Sequence, residues 1–272
     1  MKDKKVILEI AATDPTSGAG LQEGIRVATL LGLYPVSAVT AVTVQDSRGV
    51  SRCRPVGADL LLAQLDSAIH DFNPDAVKIG LLPDADTVMA LRVWIERHPE
   101  LKNIVLDPVL APTKGTFSTD APSQAYIAAM LGLASDVDLL TPNLHEAKIL
   151  SGSNGPDTAA AIFRCCDVKA VLIKGGHGEG ENSIDRLYLR PETISQEQDG
   201  TCGCDMEEFS MPRIDTENTH GSGCVLSSAI ACRLALGDTL ADAIDAAKHF
   251  LHEALEAGAS LKVADGYGPA LY

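Results

Sequence analysis

The sequence predicts an α/β protein whose mostly parallel central sheet carries helices on both faces. Three observations predict this fold class. Short runs of β-branched or apolar residues recur along the chain, segments with helical periodicity follow most of them, and the runs end in polar or glycine-rich residues. Such alternation is typical of parallel sheets, because a parallel strand pair needs a crossover connection that is usually a helix.

Six strands are predicted in order at VILEI, VSAVTAVTV, AVKIGLL, NIVLDPV, DLLTPN and AVLIKGG. Helices are predicted at about residues 18–32, 57–72, 84–98, 122–134, 143–151, 222–236 and 239–257. The last has the clearest pattern, because Leu240, Ile244 and Ala247 recur every three or four residues and Gly258 is placed to end it. Residues 190–210 are polar and lack periodicity, which indicates a hairpin excursion or a mobile flap.

Length and charge restrict the class of protein. A chain of 272 residues fits a single domain over residues 1–272, with two domains as the alternative. Its 22 Lys and Arg residues against 37 Asp and Glu residues give a formal charge of −15, which repels nucleic acids and anionic membranes. We therefore expect a small-molecule substrate. The first residues make a poor signal peptide and no stretch resembles a membrane span, so we expect a cytoplasmic protein.

The cysteines favour a reducing compartment. There are seven, an odd number scattered along the chain, which is typical of free thiols rather than of a disulfide framework. Cys165 with Cys166 and Cys202 with Cys204 are the alternative metal ligands. Neither pair has a partner pair at the spacing of a zinc site, which favours the thiol interpretation.

The residues that follow the predicted strands are unusually polar and glycine-rich. In open parallel sheets, ligands bind in the crevice outside the carboxyl ends of the strands. These positions hold Asp14, Gln45, Asp46, Gly80, Asp107, Thr141, Asn143, Lys174, Gly175 and Gly176. The sequence therefore predicts a binding site along this edge of the sheet.

The stretch NTHGSGC, residues 218–224, places Gly221, Ser222, Gly223 and Cys224 directly before an apolar helical pattern. Backbone amides in the first turn of a helix have no intrahelical acceptor, and glycines let an anion approach them closely. Such amides suit a transferring phosphoryl group. A thiol at this position is expected to ionise more readily and to accept a proton from a substrate hydroxyl. The alternative is a flexible turn with a core thiol.

Two further strand ends carry candidate ligands for a nucleotide. Asn143 and Glu146 are three residues apart at a helix start, where they could hold Mg²⁺ directly or through its waters, or form an ordinary helix cap. Lys174 leaves a buried strand before two glycines, where its ammonium group could contact a phosphate. The alternative for Lys174 is a solvated charge at the strand end.

A dinucleotide-binding site is the main rival. Gly18, Gly20 and Gly24 form a G-x-G-x-x-x-G pattern after the first strand, and Asp46 ends the next strand, as in NAD(P)-linked oxidoreductases. Against it, the residues TDPTS separate the strand from the first glycine, where the fingerprint needs a tight turn. It also leaves Lys174 and Gly221 without a role.

Seven motifs resemble those of a known family in the same order: TDPTSGAGLQ, TAVTVQDSRGV, VKIGLL, VLDPV, TPNLHEA, IKGGH and NTHGSGCVLSSAIA. The family is the hydroxymethylpyrimidine and phosphomethylpyrimidine kinases of thiamin biosynthesis, in the ribokinase-like superfamily, whose fold is a three-layer sandwich. The likeness spans residues 5–258. Sugar kinases of the superfamily usually carry aspartate where Cys224 stands, so the cysteine resembles the pyrimidine kinases and the related bacterial pyridoxal kinases.

The resemblance implies transfer of the γ-phosphoryl group of Mg·ATP to a hydroxymethyl group, by a protein expected to be a homodimer. A second phosphorylation, of the monophosphate, is typical of the family. Residues 221–224 would form the anion hole, with Cys224 as base or substrate contact. The other implied roles are substrate binding for Ala12, Asp14, Gly20, Gln45 and Leu81, nucleotide binding for Asp107, Lys174, Gly176 and Thr219, and organisation of Mg²⁺ for Asn143 and Glu146.

Three departures from the family pattern leave the substrate open. The family usually has glycine where Ala12 stands, and where Gly24 stands it has an aspartate expected to bind the substrate hydroxymethyl group. The loop at residues 110–120 also replaces a more regular pattern. The alternatives are therefore a pyridoxal or pyridoxine kinase within the class, and outside it an NAD(P)-linked oxidoreductase or a non-catalytic pyrimidine-binding homologue.

Overall fold

The structure is a computed structural model that describes residues 3–110, 122–176, 178, 180–190 and 206–271. Its strands are β1 (Val6–Ala11), β2 (Tyr34–Val39), β3 (Ala41–Asp46), β4 (Gly49–Pro55), β5 (Ala76–Ile79), β6 (Ile104–Leu106), β7 (Leu139–Leu140), β8 (Ala170–Ile173), β9 (Asn182–Leu189) and β10 (Met206–Pro212). Eight of them form one sheet in the order β10-β9-β8-β7-β6-β5-β1-β2, and β3 and β4 form a second sheet of two strands.

In the large sheet, the neighbouring strands β2, β1, β5, β6, β7 and β8 are parallel to one another. Strand β9 pairs antiparallel with β8, and β10 pairs antiparallel with β9. The predicted mostly parallel sheet is thus confirmed. The run predicted as one strand over VSAVTAVTV is instead two, because the chain turns at Thr40, whose amide donates to the carbonyl of Ala11. The sequence interpretation missed β4, since this strand exposes polar residues such as Arg52 and Arg54 and lacks an apolar run.

The helices are α1 (Gly20–Leu30), α2 (Ala58–Phe72), α3 (Ala85–Glu96), α4 (Gln124–Asp136), α5 (Leu144–Ser151), α6 (Pro156–Cys165), α7 (Ser222–Leu236) and α8 (Leu240–Gly258). Seven match predicted helices. The eighth, α6, was missed because it is a short alanine-rich segment with Pro156 in its first turn. It is nonetheless well anchored, since Phe163 is fully buried.

The helices pack on the two faces of the large sheet. Side chains of α2 to α6 form one buried cluster, and those of α1, α7 and α8 form another. Strand β1 supplies both clusters, because alternate side chains of a strand point to opposite faces: Leu8 and Ile10 enter the first cluster and Ile7 enters the second. The architecture is therefore three layers, helix, sheet and helix, as the resemblance implied.

Two features predicted in loops fall largely outside the described residues. Of the segment 190–210, residues 191–205 are not described, and residues 206–210 belong to β10, which pairs antiparallel with β9. The loop 110–120 is described only at Leu110. In the described part of the chain, no helix is long and apolar enough to cross a membrane. The five cysteines that the structure describes are free thiols.

Helix α1 buries a carboxyl group, that of Glu23, whose contribution to stability depends on pH. The side chain of Glu23 is fully buried, and neither of its oxygens has a hydrogen-bond partner among the described residues. Arg26 Nη1 lies 2.9 Å from Glu23 Oε2, but the guanidinium group of Arg26 donates its hydrogen bonds to the carbonyls of Leu271 and Ser17. Burial therefore raises the pKa of Glu23 to about 8 from its usual 4.5, although Arg26 opposes the rise.

We predict that Glu23→Gln stabilises the protein increasingly as the pH rises. Because the folded-state pKa of Glu23 is raised, its contribution to stability is fully present below the unfolded value of 4.5 and is lost as the pH rises to about 8. The loss is at most about 1.4 kcal/mol per pH unit. The difference in Tm between variant and wild type, measured from about pH 5 to about pH 8, should widen. A constant difference would contradict the prediction.

Candidate active site

A cavity of about 490 Å³ opens at the carboxyl edge of the parallel strands. The loops after β1, β5, β6, β7 and β8 line it, together with the two-stranded sheet and the start of α7. Every site residue proposed from the sequence contributes to its wall: Ala12, Asp14, Gly20, Gln45, Leu81, Asp107, Asn143, Glu146, Lys174, Gly176, Thr219, Gly221, Ser222, Gly223 and Cys224. Residues distant in the sequence therefore meet in one place.

The start of α7 presents unpaired amides to this cavity. Gly221 is the N-cap residue, with a left-handed φ of 77°. A side chain at this position would overlap the carbonyl of Gly18, so glycine is required on two grounds. Val225 is the first residue whose amide donates within the helix, to the carbonyl of Gly221 at 2.9 Å. The amides of Gly223 and Cys224 therefore have no intrahelical acceptor and are available to an anion.

A largely buried lysine lies close to this helix start. Lys174 Nζ donates to Asp107 Oδ1 at 2.6 Å, and the side chain of Lys174 is only 11% exposed. The interpretation of Lys174 as a solvated strand-end charge is therefore wrong. A Cβ atom added to Gly223 would lie 3.2 Å from Lys174 Nζ and 3.6 Å from Asp107 Oδ2, which shows that glycine keeps the space between helix start and ammonium group open.

Asn143 and Glu146 form a capping box at the start of α5. Asn143 Oδ1 accepts from the amide of Glu146 at 2.9 Å, and Glu146 Oε2 accepts from the amide of Asn143 at 2.8 Å. The capping alternative is thus confirmed. Burial raises the pKa of Glu146 to about 7, although Lys174 opposes the rise.

The oxygen donors also fit one kind of magnesium site. Both capping residues line the cavity, and Mg²⁺ prefers one or two carboxylates together with phosphates and water. The described residues contain no group of three or more His, Cys, Asp or Glu side chains that could hold a metal ion by themselves. A Mg²⁺ ion held by these two residues would have further positions for phosphate oxygens and water.

The part of the cavity wall that follows β1 contains a hydrogen-bonded aspartate. Asp14 Oδ1 accepts from the amide and hydroxyl of Thr16, and Asp14 Oδ2 lies 2.9 Å from His220 Nε2. Burial alone would raise the pKa of Asp14, but hydrogen bonds from His220 and Thr16 outweigh burial and lower it to about 2. His220, which the sequence interpretation missed although it lies inside NTHGSGC, therefore joins the loop after β1 to the start of α7.

Two further residues of the cavity wall are Gln45 and Leu81. Gln45 follows a register shift between Val44 and Gln45 in the pairing of β3 with β4, and it lines the cavity. Leu81 follows β5, and its carbonyl accepts from the hydroxyl of Thr40 at 2.7 Å. The cavity wall therefore includes one amide residue and one apolar residue at these two positions.

Position 24 does not line the cavity. Gly24 is buried within α1, and a side chain there would overlap the carboxylate of Glu9. The interpretation of position 24 as a residue that contacts the substrate hydroxymethyl group is therefore wrong. Ala12, the other departure from the family pattern, does line the cavity.

The thiol of Cys224 behaves differently from its prediction. Burial raises the pKa of Cys224, and Lys78 is the largest opposing influence. The expectation that the thiol ionises more readily than usual is therefore wrong for the ligand-free protein. Lys78 also lines the cavity and was missed, although a lysine inside the apolar run AVKI is a recognisable signal.

The dinucleotide-binding alternative is excluded by the same geometry. The glycine pattern begins after a loop rather than a tight turn, since β1 ends at Ala11 and α1 begins only at Gly20. Asp46 ends β3, which belongs to the small antiparallel sheet and not to the parallel one. The ribose-binding acid of a dinucleotide fold has no counterpart at that position.

Together, the three-layer fold and the unpaired amides close to a largely buried lysine define an α/β phosphotransferase of the ribokinase-like type. Residues 14–270 match the family profile described as phosphomethylpyrimidine kinase. The chain therefore belongs to this family of kinases.

Individual relatives agree with this membership. A hydroxymethylpyrimidine/phosphomethylpyrimidine kinase of Rhizobium meliloti is 36% identical over 272 residues, covering 97% of this chain and 95% of that protein. The multifunctional thiamine biosynthesis protein ThiED of Corynebacterium efficiens is 37% identical over 97% of this chain, but this chain spans only 34% of it. The ADP complex of Bacillus subtilis pyridoxal kinase has a TM-score of 0.83 at 29% identity, covering 98% of this chain and 96% of that chain.

Proposed function

We propose that the protein transfers the γ-phosphoryl group of Mg·ATP to the hydroxymethyl group of 4-amino-5-hydroxymethyl-2-methylpyrimidine, to its monophosphate, or to both, in thiamin biosynthesis. The observation that carries the proposal is that the amides of Gly223 and Cys224, which have no intrahelical acceptor, share the cavity wall with the largely buried side chain of Lys174. The Rhizobium relative supports the substrate, and the ADP complex of the pyridoxal kinase supports the nucleotide.

In the proposed reaction, the hydroxymethyl oxygen attacks the γ-phosphorus in line with the bond to the β,γ-bridging oxygen. A new O–P bond forms, the bridging bond breaks, and its electron pair leaves with ADP. Cys224, as the thiolate, takes the proton of the attacking hydroxyl. The amides of Gly223 and Cys224 donate to the phosphoryl oxygens over which the charge is spread.

The remaining residues bind and orient the two ligands. Lys174, Asp107, Gly176 and Thr219 are assigned to the nucleotide. Gln45 is assigned to the polar edge of the pyrimidine and Leu81 to its face, while Ala12, Asp14 and Gly20 complete the substrate wall. Asn143 and Glu146 are assigned to hold Mg²⁺, which supplies positive charge to the phosphates when it is bound.

A pyridoxal kinase is the second candidate, because the Bacillus subtilis protein whose structure has a TM-score of 0.83 is a pyridoxal kinase. A non-catalytic pyrimidine-binding homologue is the third. We also propose a cytoplasmic homodimer: five free cysteines fit a reducing compartment, and Val42 and Val44 are about half exposed on the outer face of the small sheet. Light scattering on the purified protein tests the dimer.

ADP formation with three acceptors ranks the candidates. With Mg·ATP, we expect turnover on the hydroxymethylpyrimidine or its monophosphate to exceed turnover on pyridoxal. Faster turnover on pyridoxal would transfer the assignment to the second candidate. Pyrimidine binding without ADP release would favour the third.

A further inference from the structure

A buried ion pair joins two adjacent strands of the sheet, and its lysine belongs to the cavity wall. Glu9 of β1 and Lys78 of β5 are register partners in adjacent parallel strands, and both side chains are fully buried. Lys78 Nζ lies 4.0 Å from Glu9 Oε2, too far for a hydrogen bond. Among the described residues, neither the ammonium group nor the two carboxylate oxygens have a hydrogen-bond partner. Such a pair costs stability and calls for another explanation.

Two glycines make room for this pair. A side chain at Gly24 would overlap the carboxylate of Glu9, and a Cβ atom at Gly80 would lie 2.9 Å from Lys78 Nζ. Both glycines belong to elements packed against the strands, α1 and the loop after β5. Gly24 therefore leaves room for the carboxylate of Glu9, and Gly80 leaves room for the ammonium group of Lys78.

Lys78 connects this pair to the site. Lys78 and Cys224 both belong to the cavity wall, while the ammonium group of Lys78 is itself fully buried behind that wall. The groups that interact with it electrostatically come from five elements: Glu9 on β1, Glu23 on α1, Cys224 on α7, Asp107 after β6 and Lys174 after β8. Burial lowers the pKa of Lys78, but Cys224 and Glu9 outweigh burial and raise it. Lys78 is therefore a cation that is stabilised mainly by Cys224 and Glu9.

We propose that Lys78 is a positioning residue for Cys224: its ammonium group is the counter-charge of the Cys224 thiolate, and Glu9 is the counter-charge that it uses while the thiol is protonated. This inference rests on the proposed role of Cys224 as proton acceptor. It explains how a partly buried thiol can ionise for the reaction, since a positive charge is already present in the wall that contains the thiol.

The test is the pH dependence of Cys224 alkylation by iodoacetamide, without nucleotide or substrate. The alkylated Cys224 peptide is quantified by mass spectrometry, because other cysteines are free. Only the thiolate reacts, so the midpoint of the rate profile reports thiol ionisation. In Lys78→Met we expect the midpoint to rise by about one pH unit or more, which lowers the rate about tenfold at a fixed pH below it. Lys78→Arg should restore part of the rate.

Glu9→Gln is the matched control, because it alters the same buried pair but keeps the ammonium group. Its midpoint should stay at or below that of the wild type, since the thiolate then becomes the main counter-charge of Lys78. The double variant Glu9→Gln, Lys78→Met leaves no unpaired charge and should match Lys78→Met. Circular dichroism checks that each variant folds.

Two results would overturn the inference. The first is a rate profile of Lys78→Met that superimposes on that of the wild type. The second is a rise of the midpoint in Glu9→Gln equal to that in Lys78→Met, which would indicate a general disturbance of the packing around the pair. The readout also separates this inference from the kinase assignment. A Lys78-dependent midpoint in a protein that releases no ADP would keep the inference and reject the proposed reaction.

Discussion

Replacing Gly223 with alanine is expected to lower kcat/KM by about 10²-fold or more, while the protein remains as stable as the wild type. The added methyl group would lie 3.2 Å from Lys174 Nζ, in the space that the phosphoryl group must enter. Loss of one donor to a developing anion costs about 10²–10³-fold in other enzymes, and obstruction of the whole helix start should cost no less.

The fold should tolerate this change. Gly223 lies in the first turn of α7 without a positive φ, and the added atom meets no backbone within 4 Å among its nearest contacts. Alanine is favoured over glycine within helices by about 0.8–1.0 kcal/mol. Measured Tm should therefore be unchanged or slightly higher.

Gly132→Ala is the matched control for the Gly223 variant. It makes the same substitution within helix α4, outside the cavity wall, where the flexible end of Arg92 can move aside. Its turnover should equal that of the wild type. Near-normal turnover in Gly223→Ala would mean that no phosphoryl group approaches the start of α7.

Cys224→Ala is expected to lower turnover by about 10²–10⁴-fold, the usual contribution of a positioned general base. The loss should appear in kcat, with the KM for ATP little changed, because the thiol acts on the acceptor hydroxyl. ADP formation under single-turnover conditions gives the rate of the chemical step separately from product release.

Cys232→Ala controls for removal of a thiol from the same helix. Cys232 is fully buried in the core between α1, α7 and α8 and does not line the cavity. Its loss should lower Tm and leave the single-turnover rate intact. Normal turnover in Cys224→Ala would reduce Cys224 to a packing or contact role.

The parts of the fold that were predictable have strong local patterns. The strands β1, β5, β6 and β8 are short apolar runs, and α8 has a regular apolar spacing with a cap at Thr239. The strands that the sequence interpretation missed have weak local patterns. Strand β4 exposes arginines on its solvated face, and β9 alternates between partly exposed and buried residues near the sheet edge. Their pairing depends on partners elsewhere in the chain.

The site divides in the same way. Strand ends and the glycine-flanked helix start are visible in sequence, because residue type and order determine them locally. The environment of each group is not. Glu9 leaves no room for a side chain at Gly24, Asp14 contacts His220, and burial raises the pKa of Cys224. All three depend on elements that meet only in the folded chain. This explains why the role of position 24 and the ionisation of Cys224 were predicted wrongly.

The central claim is that the amides at the start of α7 hold the phosphoryl group during transfer. Aluminium fluoride with Mg·ADP mimics that group near its transition state, and such analogues bind 10²–10⁸-fold more tightly than substrates. Titration calorimetry with the hydroxymethylpyrimidine should show that fluoride tightens Mg·ADP binding by about 10²-fold or more in the wild type, and that Gly223→Ala loses this gain while binding Mg·ADP alone equally well. An equal gain in both proteins would contradict the account.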